Sequence, residues 1–183
     1  MAKKTAQRAK ALEKIETHLL TTGLAETGVR QLAAAAGISD RMLLYYFEDK
    51  TDVLTAALSS ISAKVVMTLS AAIPPDMKIS PPELITITTE LTRGEAMGAE
   101  MRLFVECVAA AARGEVPYES IAKQIMEGFL IWVDAHLDIE SADERKAAAA
   151  MILALVDGIA LLEICTDELR GDMAVKAAAQ MLE

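Results

Sequence analysis

Val29-Arg30-Gln31-Leu32-Ala33-Ala34-Ala35-Ala36-Gly37-Ile38-Ser39-Asp40-Arg41-Met42-Leu43-Leu44-Tyr45-Tyr46-Phe47-Glu48 holds two short helices and the turn between them. Leu32, Ile38, Leu43 and Phe47 are spaced to face one another across the pair, and Ala33 is small where the helices cross. Gly37 stands where the first helix must stop, a position that favours the left-handed conformation glycine adopts without steric penalty. Ser39 is a helix N-cap residue at the start of the second helix. Two tyrosines end that helix, and Lys50 opens the next.

Any helical hairpin needs a turn glycine and facing apolar residues. Here the turn length, Ser39, the Tyr45-Tyr46-Phe47 triplet and Lys50 narrow the reading to a helix-turn-helix, the motif that lays its second helix in the DNA major groove. Working outward, Leu12, Ile15 and Leu19 recur on one helical face, so a first helix is expected over 6–22. Thr27 is the expected N-cap of a second helix ending at Ala36, and a recognition helix covers 40–47. Asp49 with Asp52 three residues on is a variant capping box for a long fourth helix reaching Ala72. Pro74-Pro75 and Pro81-Pro82 bracket a loop. Further helices are expected over 82–93, 95–113, 118–137, 142–166 and 168–182.

The fold expected is therefore all-α: an N-terminal three-helix helix-turn-helix domain over 1–50, and a C-terminal helical domain for ligand and dimerisation over 51–183, with helix 4 connecting them. Hydrophobic residues make up 53% of the 183 residues, ample for a core, and strand-like alternation is missing. The net charge of −9 looks wrong for a DNA binder until it is divided. Residues 1–50 carry eight Lys/Arg against six Asp/Glu, and residues 51–183 carry ten against 21. The cationic part coincides with the motif, and the acidic remainder is repelled by phosphates.

Cys107 and Cys165 lie far apart in apolar helices without metal-ligand spacing, so neither a metal nor a disulfide framework is expected. The basic N-terminus has no apolar signal-peptide core. The apolar run 147–162 is interrupted by Asp157-Gly158 and falls short of the roughly 20 residues of a membrane span. A cytoplasmic protein with no membrane partner and no cofactor is expected. His18 and His136 belong to no readable catalytic set, and a Gly-rich phosphate loop is missing, which argues against an enzyme.

By Lys50 the pattern resembles the TetR family of transcriptional regulators over about residues 8–58. The match takes in Gly23-Leu24, Thr27 with Val29-Arg30, Leu32-Ala33, Ala36-Gly37-Ile38-Ser39, Leu43, Tyr45-Tyr46-Phe47, Lys50 and Leu54. Residues 154–161, with Asp157-Gly158, resemble the dimer helix of one large subclass. The resemblance implies that Arg30 reaches a phosphate or base edge. Asp40, Arg41 and Met42, at the start of the recognition helix, face base edges, with Ser39 in the same DNA-binding set; Tyr45 and Tyr46 touch the backbone or a thymine methyl, and Lys50 meets a phosphate. Tyr46 is expected to be partly core and Tyr45 exposed. The sequence departs from the family pattern at Gly28, where Ser or Thr is common, at Leu44, where Tyr is common, and at Asp40 and Met42. Lys3, Lys4 and Arg8 form either an arm reaching phosphates or a tail.

Two recognition helices of a two-fold dimer would meet successive major grooves of a palindromic operator, about 34–36 Å apart. The expected dimer face on the last two helices includes Met151, Leu155, Ile159 and Leu162. An apolar effector pocket is expected from Met97, Met101, Phe104, Glu106, Met126, Phe129 and Trp132, a list that a filled core would also give. A small-molecule effector would then shift helix 4 against helix 1 and release a repressor from DNA. The alternative is a helical ligand-binding or interaction module that does not bind DNA.

Overall fold

The computed structural model describes residues 2–182, the side chains of Ala2, Glu95, Ala96 and Glu168 excepted. The described residues form nine α-helices: α1 (Ala2–Thr22), α2 (Val29–Ala36), α3 (Asp40–Tyr46), α4 (Lys50–Ala72), α5 (Pro81–Arg93), α6 (Glu95–Ala112), α7 (Tyr118–His136), α8 (Ala142–Cys165) and α9 (Glu168–Met181). Most expected spans agree to within a residue. The first helix is the exception: it starts at Ala2, so Lys3, Lys4 and Arg8 are helical and neither arm nor tail.

The chain forms two compact units, Met1–Lys64 with Ala99–Ile125, and Val65–Gly98 with Met126–Glu183. The polypeptide crosses between them three times, a different division from a single boundary at residue 50. In the first unit, Ile15, Leu19, Leu32, Leu43, Phe47 and Leu54 are fully buried. Each contributes about 1.5–3 kcal/mol of apolar burial. The helix-turn-helix thus closes over α1 and the start of α4. Glu16 is buried among these residues and pairs with Lys64, which offsets the cost of an interior carboxylate.

The second unit has its own core, built from Leu69, Ile73, Ile79, Leu84, Ile85, Met97, Trp132, Val133, Leu137, Ile152 and Val156. Ile79 pairs with the end of α7: its N–H donates to the His136 carbonyl at 2.9 Å, and its carbonyl accepts from Asp138 N–H at 2.9 Å. The His136 ring lies against Trp132, and its Nδ1 donates to the Trp132 carbonyl at 2.7 Å. The Trp132 indole N–H donates to Ser70 Oγ at 2.9 Å.

Arg93 closes the C-terminal end of this unit. Its guanidinium donates to Glu163 at the end of α8 and to Asp172 on α9. Hydrogen bonding to Glu163 is the main cause of its raised pKa. Glu163 reaches Arg93 across buried Gly171, where a Cβ would sit 1.7 Å from the carboxylate oxygen.

Two helices, α4 and α8, are by length and composition apolar enough to cross a membrane. The sequence reading made the apolar run of α8 too short because it stopped at Leu162. Only 22% of the most apolar stretch of α8 is buried, so its own unit leaves much of that surface bare.

Candidate nucleic-acid interface

The motif is assembled by local bonds that its sequence dictates. Gly37 adopts φ +72°. Its N–H donates to Ala34 O and the Ile38 N–H to Ala33 O, both at 3.0 Å, the paired bonds of a Schellman stop. Ser39 then caps α3, its hydroxyl accepting from Met42 N–H at 3.3 Å. The turn between α2 and α3 is therefore fixed at both ends, which sets the angle at which α3 leaves the core.

The cap expected from Thr27 is not made. Gly28 is the N-cap of α2 and has no side chain to offer, while the Thr27 hydroxyl donates back to Leu24 O at 3.2 Å. Thr27 is buried and stabilises the α1–α2 turn instead of the helix. The capping box of α4 does form. Asp49 accepts from Asp52 N–H at 2.9 Å, and Asp52 accepts at 3.0 Å from the N–H of Glu48, one residue ahead of the usual partner.

Leu43 and Tyr46 anchor α3. The opposite side shows Asp40, Arg41, Met42, Leu44 and Tyr45 to solvent. Tyr46 is 9% exposed and Tyr45 57%, as their spacing on the helix predicts. Arg30, at the second position of α2, and Lys50, the first residue of α4, are also exposed. A helix with its side chains is about 10–12 Å across, which fits a major groove about 12 Å wide. Leu44, read from sequence only as a departure, is 48% exposed and adds an apolar contact to this face. Such a contact suits a thymine methyl.

Bracing from α1 was not legible in the sequence. Tyr46 Oη donates to Gln7 at 2.8 Å, and Arg8 Nε donates to the Tyr46 carbonyl at 3.2 Å. The Arg8 guanidinium also lies 4.4 Å over the Phe47 ring. Lys14 donates to the Ala36 carbonyl at 3.2 Å, at the negative end of α2. These contacts join residues 22 to 39 positions apart, so helical periodicity alone carries no sign of them.

The seven residues expected around an effector divide between the units. Met97 and Trp132 are core of the second unit, with Phe129 packed against it. Met126, also of that unit, is half-buried. Met101 and Phe104 are half-buried in the first unit. Glu106 is exposed, and its carboxylate accepts from Leu24 N–H at 2.6 Å, in the turn after α1. It needs no ligand as partner because the backbone supplies one. A cleft of about 600 Å³ beside it, within the first unit, is lined by Leu24, Thr27, Lys50, Glu106, Arg113 and Tyr118, among others.

On α8 the expected dimer residues also separate. Met151 is exposed, Leu155 and Leu162 are half-buried, and Ile159 is 4% exposed and belongs to the interior. The bare stripe instead runs through Ala147, Met151, Ala154, Gly158, Leu161 and Cys165. No group of three or more His, Cys, Asp or Glu among the described residues has the arrangement of a metal site.

Residues 17–57 match the family model of bacterial regulatory proteins, tetR family. Over this segment the chain is similar to the TetR family. The family is one of regulators, not enzymes. None of the curated protein sequences matches the chain. Solved structures extend the likeness of fold to both units. A transcriptional regulator from Rhodococcus sp. Rha1 superposes with a TM-score of 0.75 at 21% identity, over 96% of this chain and 95% of that one. A TetR-family regulator from Cytophaga hutchinsonii gives 0.76 at 15% identity, over 100% and 96%. The multidrug binding protein EbrR, complexed with proflavin, gives 0.67 at 24% identity, over 95% and 98%.

Proposed function

We propose that the protein is a sequence-specific DNA-binding repressor that acts as a homodimer in the cytoplasm and releases a palindromic operator when a small molecule binds. One observation carries the DNA reading: α3 is capped, anchored by Leu43 and Tyr46, and offers Asp40, Arg41, Met42, Leu44 and Tyr45 to solvent on one short rod. A helix serving only its own core has no reason to expose two large apolar side chains and a tyrosine in six residues.

Arg41 is the base reader in this scheme, since its planar fork bonds guanine N7 and O6 together. Asp40 accepts from a cytosine amine. Arg30 and Lys50 supply sequence-independent attraction to phosphates. The bare stripe on α8, with exposed Leu169 and Met173 on α9, supports dimerisation through these helices. Surface this apolar is seldom left in water. For the effector, support comes from EbrR, a protein of similar fold complexed with proflavin. Effector and operator affinities would then couple reciprocally, by about 1–3 kcal/mol.

Selection of bound sequences from random duplexes tests the reading. Recovery of a two-fold symmetric motif is expected, with Arg41→Ala relaxing one position in each half-site. Absence of any enriched sequence, with binding insensitive to salt, favours the alternative of a helical module without DNA binding.

A further inference from the structure

The recognition helix and its flanks are acidic. Residues 39–52 carry four carboxylates, Asp40, Glu48, Asp49 and Asp52, against two cations, Arg41 and Lys50. Duplex DNA presents about one negative charge per 1.7 Å of axis. A face of net charge −2 needs cations from another element to approach it. Residues 2–12 of α1 hold four, Lys3, Lys4, Arg8 and Lys10, and the first acid of α1 is Glu13.

The opening turns of α1 are fastened to α3. Gln7 and Arg8 bind Tyr46 and Phe47, as described above, and Arg8 Nη2 stands 3.9 Å from Asp52. Arg8 is thus occupied in bracing. Lys4 is placed differently: its ammonium lies 4.1 Å from the centroid of the Tyr45 ring, which is itself on the exposed side of α3. An aromatic face attracts a cation's charge but accepts hydrogen bonds poorly, so the ammonium keeps donors for a phosphate oxygen. Lys3 is exposed one residue earlier on the same turn.

We propose that Lys4, held by the Tyr45 ring, and Lys3 form a phosphate clamp that grips the duplex backbone beside the recognition helix without reading sequence. The proposal rests on α3 entering duplex DNA. It assigns to the first turn of α1 the charge that α3 lacks.

The test is binding to the selected operator and to an unrelated duplex over a range of KCl concentrations, for wild type, Lys4→Gln, the Lys3→Gln/Lys4→Gln pair and Lys4→Arg. The variants are compared at equal folded fraction by circular dichroism. Each lost phosphate contact should make the slope of log affinity against log salt shallower by about 0.9. At 0.15 M salt, relative to 1 M, that slope is worth about fivefold in affinity per lysine. The loss should be equal on both duplexes, and Lys4→Arg should restore it. A wild-type slope in the double variant overturns the clamp, as does a loss confined to the operator, which would make Lys4 a base reader. A wild-type protein whose duplex binding ignores salt overturns the DNA reading itself, a separate and recognisable failure.

Discussion

Gly23 and Glu106 form a couple whose strength can be measured. Gly23 ends α1 at φ +69°, and a Cβ there would stand 2.3 Å from Glu106 Oε1. Two costs follow for Gly23→Ala. A left-handed residue with a Cβ costs roughly 1–2 kcal/mol. The Glu106 carboxylate must also swing away and give up the Leu24 N–H, a charge-assisted bond worth about 0.5–1 kcal/mol at an exposed site, well under the 1.5–3 kcal/mol of a buried one. Gly23→Ala should therefore destabilise by about 2 kcal/mol, a fall of about 4–8 °C in Tm for a chain of this size. In a Glu106→Ala background only the backbone cost remains, so the same substitution should cost about 1 kcal/mol. The assay is urea unfolding of the four proteins of the double-mutant cycle, with operator affinity measured in parallel. An identical cost in both backgrounds refutes the couple. A cost below about 0.5 kcal/mol refutes the backbone argument as well.

Burial raises the Asp157 carboxyl to about 6. A folded-state pKa above the unfolded value near 3.9 gives stability that is full below about pH 4 and is lost as pH rises through 6. Asp157→Asn should accordingly raise Tm at pH 8 and leave it unchanged at pH 4; an equal gain at both would remove desolvation as the cause. Leu161→Glu puts a charge in the middle of the bare α8 stripe, and light scattering should then report monomer at concentrations where wild type is dimeric. A wild-type monomer bound tightly to a palindrome would end the dimer account. Burial pushes the Cys107 thiol up to about 11. In the folded Leu161→Glu monomer, a thiol reagent at pH 8 should modify exposed Cys165 alone, and both cysteines only in urea; fast labelling of Cys107 in the folded state contradicts its burial.

What sequence made legible was whatever depends on neighbours along the chain. Gly37, Ser39 and Asp49 act within three residues of themselves, and each does in the structure what its chemistry demands. The split between Tyr45 and Tyr46 followed from helical spacing. Thr27 misled because a hydroxyl before a helix has two short-range options, the N–H groups ahead or the carbonyl behind, and it took Leu24 O. Glu106 misled for a different reason. Counted among the expected pocket residues, it takes as partner a backbone N–H 82 residues earlier, which no local spacing reveals. On α8, apolar residues surround the helix, so periodicity could not say which side was interior; packing assigned Ile159 inward and Leu161 outward.

Gly171 has a consequence for how the C-terminal helices can move. The Glu163 carboxylate occupies the space a side chain would take there, and from it holds Arg93, which also holds Asp172. Sliding α9 along α8 by a single turn would drive a different residue, one bearing a Cβ, into that carboxylate. The two helices are keyed in one register, like a tooth in a notch. A signal arriving at this end of the protein must turn α8 and α9 together as one solid piece.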